Sequence, residues 1–163
     1  MKISDIDPIP LLKKSGCPDN VIEHCIAVRD LAMVFARNAP VDKELVEKGA
    51  LLHDIGRCRT HSIAHGQVGA EICRDYGLPE EICRIVETHI GAGLTAEECR
   101  REGLKPVDCV PKTLEEKIVA HADNLIKGTK EITIDERLDH SANLPEAARK
   151  RMKDLSDEIE KYR

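Results

Sequence analysis

The chain has 163 residues, the length of one ordinary domain and enough to build a core, with 41% apolar and 34% charged side chains. Its aromatic residues are one phenylalanine and two tyrosines, Phe35, Tyr76 and Tyr162, with no tryptophan, which argues against binding dominated by stacking on bases or sugars. A net charge of −5 argues against a general nucleic-acid or acidic-membrane surface and leaves room for a local basic pocket.

Helical periodicity dominates and no run of β-branched alternation is long enough for a strand, so the expected class is all-α. In chain order the periodic segments are 19–38, 42–55, 63–76, 79–89, 95–102, 113–127 and 145–162. Capping boxes at Thr95-x-x-Glu98 and Thr113-x-x-Glu116 open two of them, and Pro79 and Pro145 sit at first-turn positions. Gly56, Gly77, Gly91, Gly103 and Gly128 follow the expected helix ends. The tetrapeptide EICR stands at 71–74 and again at 81–84, too short to establish an architectural repeat. The polar stretch 135–144 reads as a connector. It leaves a last helix with the stripe Ala148, Met152, Leu155 and Ile159, suited to pack on the domain or on a second copy.

The seven cysteines, Cys17, Cys25, Cys58, Cys73, Cys83, Cys99 and Cys109, are odd in number and contain no Cys-x-x-Cys pair. The N-terminal MKISDIDPIPLLKK has no apolar leader, and no membrane span is expected. The thiols therefore read as reduced packing residues of a cytoplasmic protein.

Four histidines continue apolar stripes. His24 follows on with Val28, Leu31 and Phe35; His53 with Val46 and Ala50; His65 with Val68, Ile72 and Tyr76; His89 with Ile82, Ile85 and Val86. One such histidine is ordinarily a hydrogen-bonded core residue, but four in so small a domain strain that account. Asp123 shares a face with Val119 and Ile126, and burying an unpaired carboxylate costs several kcal/mol unless a cation compensates it. Asp54, expected in a last helical turn, faces the wrong end of the helix dipole and also needs a positive partner. Together His24, His53, Asp54, His65, His89 and Asp123 form a nitrogen and oxygen shell suited to iron, manganese or zinc rather than to a thiolate cluster. Six donors exceed what one open catalytic ion needs, so two ions sharing a carboxylate fit better. His61 is an alternative to His65; the small residues Gly66, Gly69 and Ala70 favour His65 by allowing close backbone approach.

His24, the adjacent His53-Asp54 and the distant Asp123 in VAHADNL match the H…HD…D signature in order and context, over roughly residues 20–128. The chain thus resembles the HD-domain metal-dependent phosphohydrolases. His65 in AHGQVGAEI and His89 in VETHIGAG resemble the two extra histidines of the two-metal branch, particularly the bacterial hydrolases that split diadenosine tetraphosphate symmetrically at a di-iron centre. The paired histidine and GYP segment of the cyclic-di-GMP phosphodiesterase branch are missing beside His89, and that activity is set aside. The stretch from Asp54 to His65 is shorter than in the tetraphosphate hydrolases, which leaves the substrate open.

The resemblance implies a single HD domain over 1–163, a compact bundle of about six to eight helices with its core at about 19–128 and the helix at 145–162 on the core or a partner. It implies two divalent transition-metal ions, iron first, with manganese, zinc, nickel or cobalt as alternatives. Asp54 would bridge them, His24, His53 and Asp123 holding one and His65 and His89 the other. A metal-activated water would cleave a nucleotide or related phosphoester or phosphoanhydride. Arg57 and Arg59 directly follow the doublet, and Lys127 lies one expected turn after Asp123; each is placed to grip phosphate, against the plainer reading of a solvated helix end. His121 and His140 match no ligand position and are assigned to structure or solvent. The expected partner is a small phosphorylated substrate, with no nucleic acid or membrane and with a homodimer allowed. The rival functions are a di-iron oxygenase of the same fold and a non-catalytic module that senses metal or a nucleotide.

Overall fold

A computed structural model describes the chain from Met1 to Arg163. Nine α-helices follow one another: α1 (Pro8–Lys14), α2 (Asp19–Ala36), α3 (Lys43–Leu52), α4 (His65–Asp75), α5 (Glu80–Thr88), α6 (Ala96–Arg101), α7 (Leu114–Asn124), α8 (Ile134–His140) and α9 (Glu146–Glu160). Short 3-10 turns occupy Ile3–Asp5 and Ile55–Cys58, and a two-residue hairpin pairs β1 (Ile126–Lys127) antiparallel with β2 (Lys130–Glu131). The expected all-α class holds. No helix is long and apolar enough to cross a membrane.

The longest helix, α2, buries Val21, Ile22, Cys25, Val28, Leu31, Ala32 and Phe35, an i, i+3, i+4 face laid against α3 and α7. Helices α4 and α5 pack as a pair, and α5 also meets α3 and α7, so that one core runs through the bundle. Helix α9 buries Met152, Leu155 and Ile159 and packs on α7 of its own chain. Lys117 pairs with Glu158 at 3.0 Å and His121 with Glu160 at 2.7 Å across that contact. All seven cysteines are free thiols, six of them buried.

Several details differ from the periodic reading. The stretch 135–144 is not a plain connector but carries most of α8, which Thr133 opens by accepting a hydrogen bond from the Glu136 backbone N–H at 3.1 Å. Ahead of the first expected segment stands α1, with Pro8 in its first turn and Leu12 fully buried. Helix α3 stops at Leu52 with His53 as its C-cap, so Asp54 lies off the helix. Helix α7 ends at Asn124, which puts Lys127 on the exposed hairpin rather than on a helical turn. Thr95 and Glu98 form a complete capping box, whereas the Glu116 carboxylate accepts from the Lys112 N–H and the Thr113 hydroxyl instead. Gly77, Gly91, Gly103 and Gly128 have positive φ as helix-ending glycines do, but Gly56 does not.

Candidate metal centre

Five places in the fold converge. His24 comes from the first half of α2, His53 and Asp54 from the end of α3, and His65 is the first residue of α4. His89 follows α5 directly, and Asp123 lies in the last turn of α7. His53, Asp54, His65 and His89 are buried, while His24 and Asp123 are partly exposed.

Each imidazole is fixed by a backbone carbonyl. Nδ1 of His24 donates to Gly128 O at 2.6 Å, His53 to Ala50 O at 2.6 Å, His65 to Ser62 O at 2.8 Å and His89 to Val86 O at 2.6 Å. A carbonyl oxygen only accepts, so Nδ1 carries the proton and each neutral ring presents a lone pair on Nε2. Those Nε2 atoms surround two carboxylates. Asp54 Oδ1 is 3.3 Å from His65 and 3.3 Å from His89, and Asp54 Oδ2 is 3.7 Å from both His24 and His53. Asp123 Oδ1 lies 2.9 Å from His24 and 3.2 Å from His53.

The chemistry of this donor set fits a divalent cation. Nε2 of His65 and Nε2 of His89 stand 3.1 Å apart, and two lone pairs at that separation repel unless a proton or a cation lies between them. Burial pushes the Asp54 carboxyl up, but the imidazoles of His53, His65 and His89 outweigh it and hold its pKa well below the usual carboxylate range. Asp123 is likewise held low against burial, by His53 and His24. Burial lowers the His53 pKa, yet the carboxylates of Asp54 and Asp123 raise it well above the ordinary imidazole value. His24 moves up against burial through its bond to Asp123, whereas burial wins at His89, whose pKa falls. The carboxylates thus draw positive charge into a buried pocket, and imidazole nitrogens oriented by carbonyls are the usual second partner of such charge. His24, His53 and Asp123, and His53, Asp54 and His89, are each compact enough to hold an ion.

An open groove of about 490 Å³ lies over the cluster, walled by Glu23, His24, Asp54, Arg57, His61 and Gly128 among others. Arg57 stands on this wall, its Nε 3.5 Å from Asp54 Oδ2 and its Nη1 donating to His61 O at 3.1 Å. His65, not His61, brings its Nε2 to the Asp54 carboxylate; His61 contributes a carbonyl and a stretch of groove wall. Arg59 borders a different hollow, with Lys14, Cys58, Asp75 and Tyr76. Lys127 is exposed and not on the groove wall; its neighbour Gly128 is, and holds His24. His121 is buried against Glu160 and His140 is exposed. The carbonyl partners were not anticipated, although three of the four lie three residues before their histidine, a spacing visible in the sequence.

The HD-domain family model matches residues 21–128. An uncharacterized protein of Methanocaldococcus jannaschii is 56% identical over 128 residues, 76% of each chain. A tRNA (cytidine(56)-2'-O)-methyltransferase of Picrophilus torridus is 45% identical over 151 residues, which is 91% of this chain but 44% of that enzyme's length. Among solved structures, the HD domain of the L. monocytogenes phosphodiesterase PgpH in complex with cyclic-di-AMP shares the fold, with a TM-score of 0.59 at 20% identity over 90% of this chain and 92% of that one. The matched segment contains His24, the His53-Asp54 doublet and Asp123 in order, and the chain belongs to the HD-domain family.

Proposed function

We propose that the chain is a metal-dependent phosphohydrolase that splits a nucleotide or related phosphoester or phosphoanhydride with an activated water. The observation that carries this reading is the division of Asp54 at the floor of an open groove, with Oδ1 facing His65 and His89 and Oδ2 facing His24 and His53. A carboxylate divided in this way suits two divalent ions better than one, with iron first in line and manganese, zinc, nickel or cobalt as alternatives. When bound, the ions supply Lewis acidity toward a phosphoryl oxygen and lower the pKa of a water.

The chain's own side chains do the rest. The carbonyl-bound Nδ1–H groups hold four rings in one tautomer, so that little reorganisation is needed when an ion is taken up. Asp54 and Asp123 balance the positive charge. Arg57 grips a phosphoryl oxygen from the groove wall with the fork left over from its contact with His61. The cyclic-di-AMP held by the PgpH HD domain supports a nucleotide substrate for this fold.

The test is a screen of the full chain, loaded anaerobically with Fe²⁺ or Mn²⁺, against nucleotides and dinucleoside polyphosphates for released phosphate or mononucleotide. Turnover that needs metal and is lost in Asp54→Asn is the expected result. Oxygen consumption without phosphate release would point to the oxygenase instead, and tight nucleotide binding without turnover to a sensor.

A further inference from the structure

A second cavity, of about 310 Å³, lies among the segment after α5, α6, α8 and α9, with Ile63, Ile90, Leu94, Leu144, Ala148 and Met152 on its apolar part and charged side chains, Arg101, Glu102 and Arg137 among them, on the rest of its wall. Its place beside the metal centre is set by chain neighbours of the donors. Ile90 follows His89, and its Cδ1 lies 3.0 Å from where a Cβ on Gly66, the residue after His65, would stand. Ile63 precedes His65 by two residues. Gly91, also on the wall, accepts a hydrogen bond at 2.9 Å from Nδ2 of buried Asn124, the residue after Asp123. The groove over the cluster borders the same segment, because His61 lines the groove and Ile63 the cavity, and two residues span at most about 7 Å of chain.

We infer that this cavity receives the ring portion of the substrate, a nucleobase-like group with a hydrogen-bond acceptor on its edge, while the phosphoester lies in the groove that borders the same 61–63 segment. The inference rests on the phosphohydrolase reading and narrows its substrate. The cavity is at the small end of ligand pockets, about 300–1,000 Å³, with room for one ring system and not for a dinucleotide. Its apolar part suits the faces of a planar ring. Arg137 on the wall has its Nε closed off from the cavity, and neither of its Nη groups is paired within the chain, which leaves them as the donors that a ligand carbonyl or ring nitrogen can accept from. Glu98, on the same wall, is already tied to Arg151 at 2.5 Å and to the Thr95 N–H at 3.0 Å.

Two chromogenic diesters with the same leaving group test this: thymidine 5′-(p-nitrophenyl phosphate) and methyl p-nitrophenyl phosphate, offered to the Mn²⁺-loaded full chain. The ratio of their kcat/KM values should favour the thymidine ester at least about tenfold, and Ala148→Trp, which fills the cavity from α9, should bring the ratio toward one with metal content unchanged. Arg137→Ala should lower the same ratio, and it carries the test alone if Ala148→Trp does not fold. A ratio that is the same in the variants as in the wild type overturns the assignment. If neither ester is turned over, the hydrolase reading falls, and calorimetric binding of thymidine 5′-monophosphate decides the cavity by itself. Binding weakened about tenfold or more by either variant sustains it as a ring site; no binding, or binding that neither variant weakens, overturns it.

Discussion

Gly56 and His65 meet backbone to backbone: a Cβ on Gly56 would lie 2.0 Å from the His65 carbonyl oxygen and 2.8 Å from the Gly69 amide nitrogen. The contact presses the 3-10 turn that follows Asp54 onto the start of α4, and so sets the separation of 3.3 Å between Asp54 Oδ1 and His65 Nε2. No side-chain rotation relieves a clash with backbone, and overpacking of this kind costs about 1–3 kcal/mol. Gly56→Ala should therefore lose stability in that range and bind less metal at the His65 and His89 half. Urea unfolding and metal analysis on one preparation check both effects, and wild-type values in both would show that the contact does not govern the site.

Asp54 is the residue whose loss should reach both halves of the cluster, since each oxygen faces a different pair of imidazoles. Protein purified without chelator should hold about two transition-metal ions per chain. His65→Ala or His89→Ala should lose one, and Asp54→Asn should disturb both. A fully loaded protein with one ion, its count unaffected by His65→Ala, contradicts the two-ion arrangement.

The thiols should play no part in metal binding. Burial raises Cys17, Cys73 and Cys109 to about 12 and Cys83 to about 11, so these groups stay protonated and inert at neutral pH. Iodoacetamide on the folded protein should modify half-buried Cys58 first and release no metal. Rapid metal loss with helicity intact would bring a thiolate into the shell.

The same thiols give the stability an alkaline limit. The unfolded chain releases their protons near the ordinary value of 9.0, whereas folded Cys17, Cys73 and Cys109 keep theirs to about 12. Between those values the folded state binds more protons, so stability falls as pH rises. The melting temperature should decline above pH 9, and less steeply in Cys73→Ala than in the wild type. Equal slopes would rule out this thiol as a contributor.

The four clustered histidines are legible in the sequence because a 3.6-residue period places each of them on an apolar stripe, and the stripes had to face one core. The doublet announced Asp54, but its reach to both pairs depends on α3 ending at Leu52 and a 3-10 turn beginning, which no periodicity encodes. Helix α8 escapes notice because only Ile134 and Leu138 give it an apolar face, both half-buried. Lys127 is expected at the site from one helical turn after Asp123, and Arg59 from its place just behind the doublet. The end of α7 at Asn124 carries Lys127 onto the hairpin, and Arg59 lies beyond the 3-10 turn beside Tyr76. The cavity between α6, α8 and α9 is a product of long-range packing, with no local signal at all.

Arg57 separates phosphate chemistry from a plain structural role, because it touches both Asp54 and the groove. Its guanidinium is about a third exposed, and its contact with Asp54 Oδ2 at 3.5 Å is loose, so most of its donors are free for an incoming oxygen. If it steadies charge developing on a phosphoryl oxygen, Arg57→Ala should keep metal and fold but lose about 10²–10³ in turnover, the range found when one transition-state donor is removed. Arg57→Lys should recover only part of that, since an ammonium cannot reproduce the two-pronged contact. If the arginine serves only to tie the 3-10 turn to the His61 carbonyl, the change should cost about 1 kcal/mol of stability and leave turnover alone. Metal content, melting temperature and steady-state rate measured on the same preparations decide between the two, and an unchanged rate with a lowered melting point would remove Arg57 from the active site.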